Sequence, residues 1–201
     1  MSRKIRRWTT VASTALLAAA VALPASAASA APRPASEPAP AGNVDVARYL
    51  GSWYQVAAVP ALFEAQCKKN ARAEYGLTPR GTVSVENSCD TWFGTRSTVK
   101  GDAKPLDGSN ARLNVSFLGL NGTYAHSSRA NYIVVGLDED YTWAAVTDAD
   151  RRSAFVLSRT PALSAGQASA AGEALRAAGV DPCSVKYTPQ DGGSASRAPF
   201  C

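Results

Sequence analysis

Between Trp53 and Ser158 the chain falls into eight short strand-like runs joined mostly by short connections, and that pattern leaves few folds open. The clearest runs are 82–86 (TVSVE) and 113–117 (LNVSF), where polar and apolar residues alternate. Period two is the mark of a strand with one face buried. Around them stand 53–59, ended by Pro60, then 71–77, 96–103, 132–137, 141–146 and 153–158. Thr78-Pro79-Arg80-Gly81, Asp138-Glu139-Asp140 and Asp148-Ala149-Asp150 read as turns. A pairing of Leu77 with Thr82 across the first of these is expected. Sequential strands with short links pair antiparallel, and eight of them suit a closed up-and-down barrel.

One helix follows the strands. Ser164 with Gln167 three residues later forms a capping box, and Ala168, Ala171, Leu175 and Ala178 recur near helical spacing. Gly179 suits the position just past the helix, and Pro182 blocks continuation. A single leucine among alanines is a weak apolar face, so this helix needs the barrel wall to lean on. The expected fold is all-β: an eight-stranded antiparallel up-and-down barrel with one C-terminal helix packed outside. Residues 184–187 read as a ninth short strand.

The N-terminal segment has a different character. Arg3, Lys4, Arg6 and Arg7 precede an apolar run at 11–23, and Ala25-Ser26-Ala27 offers a small-x-small cleavage site. This is the layout of a secretory signal peptide over 1–27. The run is too short to cross a bilayer comfortably, which takes about 20 residues. A Pro/Ala-rich linker at 28–43 (containing APRPASEPAPAG) buries little and stiffens toward polyproline II. The folded domain is expected at 44–190, with a Gly/Ser-rich tail at 191–201. No later run is long and apolar enough for a transmembrane segment. The localisation expected is secreted, extracellular after cleavage.

Charge excludes one class of partner. The whole chain carries a net +5, yet beyond residue 30 there are 17 basic against 16 acidic residues. A nucleic-acid surface needs clustered surplus positive charge, which the chain beyond residue 30 lacks. An exported chain meets an oxidising compartment, so Cys67, Cys89, Cys183 and Cys201 read as two disulfides. With a single histidine, His126, and no CxxC pair, neither a metal site nor a cofactor is expected.

The motifs at the two ends of the strand pattern resemble those of a known family. Gly51-Ser52-Trp53-Tyr54, opening the first strand, is similar to the G-x-W motif of lipocalins. Ser158-Arg159-Thr160-Pro161, closing the eighth, resembles that family's arginine motif. Leu113-Asn114-Val115-Ser116-Phe117 and Asp140-Tyr141-Thr142-Trp143-Ala144 resemble the bacterial outer-membrane lipocalin and apolipoprotein D branch. Many bacterial relatives are lipoproteins, whereas this chain has no cysteine before Cys67. The motifs have a physical logic. An eight-stranded barrel holds one small ligand if one end is plugged. Trp53 is large enough to plug it, Arg159 suits a cation–π lid on the indole, and Gly51 allows close backbone approach.

Binding chemistry then belongs inside the barrel. Alternation puts Leu113 and Val115 on the same face as Phe117, and Phe155 and Leu157 in phase with Arg159. The resemblance places Phe155 where the apolipoprotein D branch has a ligand-touching aromatic, and Tyr75 and Tyr132 at inward aromatic positions. Ala73, Val134 and Trp143 are expected on the same walls. The ligand set is therefore Tyr75, Phe117, Tyr132, Val134, Trp143 and Phe155. Such a lining suits a small hydrophobic ligand: a fatty acid, lysophospholipid, isoprenoid or similar. A monomeric binding protein is expected, not an enzyme, because serine chemistry needs a base and paired cysteines leave no thiol. The alternative is a secreted protein-binding or inhibitor barrel acting through its open-end loops.

Three disulfide pairings are possible. Cys67–Cys89 with Cys183–Cys201 is preferred, since each pair brackets one compact element. The rival ties Cys67 or Cys89 to Cys201 across the barrel, as in many lipocalins.

Overall fold

The computed structural model describes residues 36–201. The leader at 1–27 and linker residues 28–35 lie outside the described residues. A short helix comes first, α1 (Val46–Tyr49). Asp45 caps it, its carboxylate accepting from the Ala47 and Arg48 amides at 2.9 and 3.4 Å.

Five strands follow as a meander: β1 (Gly51–Ala58), β2 (Cys67–Leu77), β3 (Val83–Thr91), β4 (Arg96–Pro105) and β5 (Arg112–Ser116). A small hairpin of β6 (Gly119–Leu120) and β7 (Thr123–Tyr124) interrupts them. Then come β8 (Tyr132–Leu137), β9 (Trp143–Thr147) and β10 (Ala154–Ser158). The order β10-β9-β8-β5-β4-β3-β2-β1 returns on itself because β1 also pairs with β10. This is the expected closed, eight-stranded antiparallel barrel. Helix α2 (Ala165–Ala177) packs outside it, opened by the Ser164/Gln167 capping box. The ninth strand is β11 (Lys186–Tyr187), which pairs with Ala57 and Ala58 of β1.

Boundaries and register differ from expectation in places. Strand β2 starts at Cys67 and β3 runs to Thr91. Their outer halves, Cys67-Lys68-Lys69-Asn70 and Asn87-Ser88-Cys89-Asp90, carry too few apolar residues to show period two; pairing across the sheet makes them strands. Leu77 faces Val83, not Thr82. Thr78 and Thr82 instead close the turn between themselves, amide to carbonyl at 2.9 Å and hydroxyl to hydroxyl at 2.7 Å. Tyr141, expected inside a strand, sits in the β8–β9 turn at φ +57°.

Two irregularities in β2 between Cys67 and Arg72, with Asn70 at φ +57°, bend the strand. The bend brings Cys67 to Cys89, Cα atoms 5.6 Å apart and bridged. The second bridge is Cys183–Cys201, Cα atoms 4.9 Å apart. The residues read as a tail are held as well. The Phe200 amide donates to Val185 O and the Tyr187 amide to Ala198 O. The buried Phe200 ring lies 5.1 Å from that of Tyr187.

The barrel wall separates two apolar clusters. The inner one includes Trp53, Val134, Ala144, Val146 and Leu157. The outer one joins Val56, Ala57, Trp143, Ala145 and Val156 to Ala171 and Leu175 of α2. Gly136 makes the helix contact possible: a Cβ there would stand 2.5 Å from Ala174 Cβ and 3.2 Å from Trp143. None of the described helices is long and apolar enough to cross a membrane.

Candidate functional site

The two ends of the barrel differ. At the start of β1, Trp53 is wholly buried, and its indole N–H donates to Tyr49 O at 2.8 Å. The Arg159 guanidinium lies 3.8 Å from the indole ring centre. It also donates to Ser52 O and Arg48 O, both at 2.8 Å, and to Tyr141 O at 3.3 Å. Arg159 thus ties the carbonyls of α1, β1 and the β8–β9 turn into one seal. Gly51 supplies the bend beneath it at φ +86°, a conformation that L side chains resist. Burial lowers the pKa of Arg159, an effect that neighbouring tyrosines and Glu74 oppose.

Above this seal lies a cavity of about 700 Å³. Its floor is formed by Val44, Val46, Leu50 and three tyrosines. Tyr132 Oη is 2.9 Å from Tyr49 Oη and 3.2 Å from Tyr75 Oη. All three phenols have raised pKa values, burial being the largest cause; Tyr75 is pushed up to about 12. The walls are apolar, with Ala73 from β2, Val83 and Val85 from β3, Leu113 and Val115 from β5, and Phe155 and Leu157 from β10.

Toward the other end the lining turns polar, with Gln55, Glu64, Asn87 and Ser97 beside Phe63 and the Cys67–Cys89 bridge. Gln55 Nε2 donates to the Glu64 carboxylate at 3.1 Å. Burial nonetheless raises the Glu64 pKa, and that hydrogen bond only partly offsets it. Asn87 Oδ1 is buried with no hydrogen-bond partner among the described residues. Leu62, Phe63, Trp92 and Phe93 stand exposed on the loops of this end. Trp92 joins those loops, its indole donating to Ala65 O at 3.1 Å and its amide to Gln66 O at 3.3 Å.

Five of the six residues read as ligand-lining are on this cavity: Tyr75, Phe117, Tyr132, Val134 and Phe155. Trp143 is not. It packs on the outer wall with Ala145, Leu175 and the α2 side of Gly136. Every residue of β9 is buried, because α2 covers one face and the barrel interior the other, so polarity gives no phase there. Ala144 and Val146 take the inner face instead. Tyr49, Val44 and Val46 were missed. A four-residue helix is too short to display a 3.6-residue period, and its only sequence signal is the cap at Asp45.

His126 lies away from the cavity. Its Nδ1 is 3.0 Å from Asn114 O and its Nε2 2.9 Å from Asp102 Oδ1, which ties the 125–131 connection to β4 and β5. Among the described residues no three His, Cys, Asp or Glu side chains gather as a metal site.

Comparison with known proteins places this geometry. A family model described as a lipocalin-like domain matches residues 44–190. Temperature-induced lipocalin-1 of Arabidopsis thaliana is 33% identical over 121 residues, 59% of this chain and 64% of that protein. The outer membrane lipoprotein Blc of Citrobacter freundii is 34% identical over 127 residues, 61% of this chain and 66% of that one. The chain therefore spans just under two thirds of these relatives' lengths. Insecticyanin of the tobacco hornworm Manduca sexta shares the fold, with TM-score 0.59 at 16% identity, covering 83% of this chain and 94% of its own.

Proposed function

The chain belongs to the lipocalin-like family, and from that premise we propose that it is a secreted binding protein holding one small hydrophobic molecule in its barrel. One observation carries the reading: an apolar-walled cavity of about 700 Å³, sealed at one end by Trp53 and Arg159. Volumes of roughly 300–1,000 Å³ with a few placed polar groups are typical of small-molecule sites. Apolar burial supplies most of the affinity, at about 25 cal/mol per Å² removed from water. Fatty acids, lysophospholipids and isoprenoids are all of suitable character. Residues Tyr75, Phe117, Tyr132, Val134 and Phe155, with Tyr49, are the proposed contacts.

Binding rather than catalysis is the role we assign. The only histidine has its ring nitrogens against Asp102 and Asn114, and all four cysteines are bridged. Two disulfides and the basic, apolar and small-residue order of 1–27 support export. The tail and linker limits, and the monomeric state, belong to the same proposal.

Native mass spectrometry of protein purified from its own secretion route tests the reading directly. A co-purified lipid or pigment of defined mass is expected. Absence of saturable binding across fatty acids, isoprenoids and tetrapyrroles in titration would overturn it. A second reading, docking of a protein partner on the open-end loops, is favoured by the exposed Leu62, Phe63, Trp92 and Phe93. Leu62→Ser with Phe93→Ser, two exposed loop residues off the cavity lining, separates the two: ligand titrations stay unchanged if the cavity is the site, while partner capture is lost if the loops are.

A further inference from the structure

The tyrosine floor carries a proton count that the family assignment does not. Three phenolic hydroxyls bring three protons. Two hydrogen bonds join them, Tyr49 to Tyr132 and Tyr132 to Tyr75, and these use two of the three. Those are their only hydrogen-bond partners among the described residues. Whichever way the chain of donors runs, one O–H is left without a protein acceptor, and all three tyrosines line the cavity. A buried donor left unmade is penalised, so the floor is built to receive an acceptor.

The same cavity offers an anion little. Its charged lining residues are Glu64, Arg72 and Asp148. Two are acids, and Arg72 stacks 4.1 Å over the ring of Tyr54, which packs against the outer cluster. Arg159 is committed to three carbonyls and to the face of Trp53. A carboxylate on the floor would meet one phenol donor and no cation, with apolar walls around it: Arg72, whose Nε is buried without a hydrogen-bond partner among the described residues, lies over Tyr54 on the side of the outer cluster. An isolated buried charge is far costlier than a neutral polar group with one hydrogen bond.

We infer that the cavity selects a neutral lipid with a terminal oxygen acceptor (an alcohol, aldehyde, ketone or ester) and takes it oxygen-first, against the Tyr49–Tyr132–Tyr75 hydroxyls, in preference to a fatty-acid anion. This rests on the proposed hydrophobic binding role and narrows its ligand class. Raised phenol pKa values agree with it, since they keep all three hydroxyls protonated as donors.

The test is displacement of the neutral dye Nile red from the full mature chain at pH 7 by tetradecan-1-ol, tetradecanal, tetradecanoate and tetradecane. The alcohol and aldehyde should displace it at concentrations about tenfold below the alkane and the carboxylate, the ratio that one added hydrogen bond of about 1.4 kcal/mol implies. The triple variant Tyr49→Phe/Tyr75→Phe/Tyr132→Phe keeps the rings and removes the donors, and should erase the gap between alcohol and alkane. If that variant does not fold, Tyr132→Phe alone, which removes the shared partner and leaves the Tyr49 and Tyr75 hydroxyls both unpaired, should widen the gap, and a narrower gap would overturn the inference. Tetradecanoate binding as tightly as tetradecan-1-ol would overturn the inference while leaving the binding role intact. So would a gap that survives all three substitutions. Failure of the dye and all four lipids to bind would remove the hydrophobic binding role, and the inference with it.

Discussion

Trp53 is the largest wholly buried side chain among the described residues, and the closed end depends on it. Trp53→Ala is expected to destabilise by about 3–5 kcal/mol, because a cavity opens where neighbours cannot collapse. Arg159→Ala should cost less than that but more than the roughly 0.5 kcal/mol of an ordinary surface change, since three carbonyls lose their donor. Urea midpoints of the two variants check both. The tyrosine floor adds a pH effect. The Tyr75 pKa rises from an ordinary value near 10 to about 12 on folding, with burial the largest cause. Above pH 10 the unfolded state releases that proton while the folded state keeps it. Stability from this group is therefore complete below pH 10 and is lost as pH climbs through 12. Tyr75→Phe should flatten that alkaline limb in denaturant titrations run between pH 9 and 12. At this scale the motif residues were legible, because Gly51, Trp53 and Arg159 stand in short motifs that resemble those of the lipocalin family. Trp143 was not, because a strand covered on both faces carries no polar phase from which to read direction.

Elements were legible in proportion to their length and to the water on one side of them. Strands β3 and β5 alternate because one face is solvated or loop-covered and the other lines the cavity, while α1 spans too few residues to show any period. The β6–β7 hairpin did have a signal. Asn121 at φ +50° and Gly122 at φ +74° form the positive-φ pair that Asn-Gly prefers in a two-residue hairpin turn. Its tip is held by Arg80, which donates to Gly122 O. The docking of α2 is a clearer case of what sequence leaves out. Its apolar face is one leucine and several alanines, yet Ala171, Gly172 and Leu175 are buried, because Gly136 lets the helix backbone approach β8. Gly136→Ala should push α2 away from the wall and cost about 1–3 kcal/mol, the range for overpacking a filled contact. Thermal melts measure the loss. Faster amide exchange confined to α2 and the outer face of β9 would locate it there, and a wild-type melt would show that the helix does not need the close approach.

At the scale of the whole molecule, closure and the two disulfides act on different parts. The barrel has a thin seam where β5 meets β8 through only Arg112–Ile133 and Leu113–Tyr132. Asn131 extends that seam with its side chain, accepting from the Val115 amide at 2.7 Å and donating to Val115 O at 2.8 Å. The Cys67–Cys89 bridge clamps β2 to β3 beside the open end, and Cys183–Cys201 fastens the last strand and the tail. Pairing could not be settled from spacing, since whether the C-terminus folds back locally or crosses the barrel is a question of three-dimensional path. The path is local because Phe200 fills a gap beside Tyr187 and α2, and Cys201 follows it. The two bridges close loops of similar length, with sequence separations of 22 and 18, so the chain-entropy model assigns each about 3 kcal/mol. Their removal should nonetheless differ. Cys183→Ser/Cys201→Ser releases the tail and exposes Phe200, so its loss should exceed the entropic figure by the roughly 1.5–3 kcal/mol of one buried aromatic, with ligand affinity unchanged. Cys67→Ser/Cys89→Ser should lose stability near the entropic figure and weaken ligand binding, because those residues line the cavity. Denaturant midpoints alongside ligand titrations of the two double variants make the comparison. Equal stability losses with affinity intact in both would mean that the Cys67–Cys89 clamp takes no part in shaping the mouth.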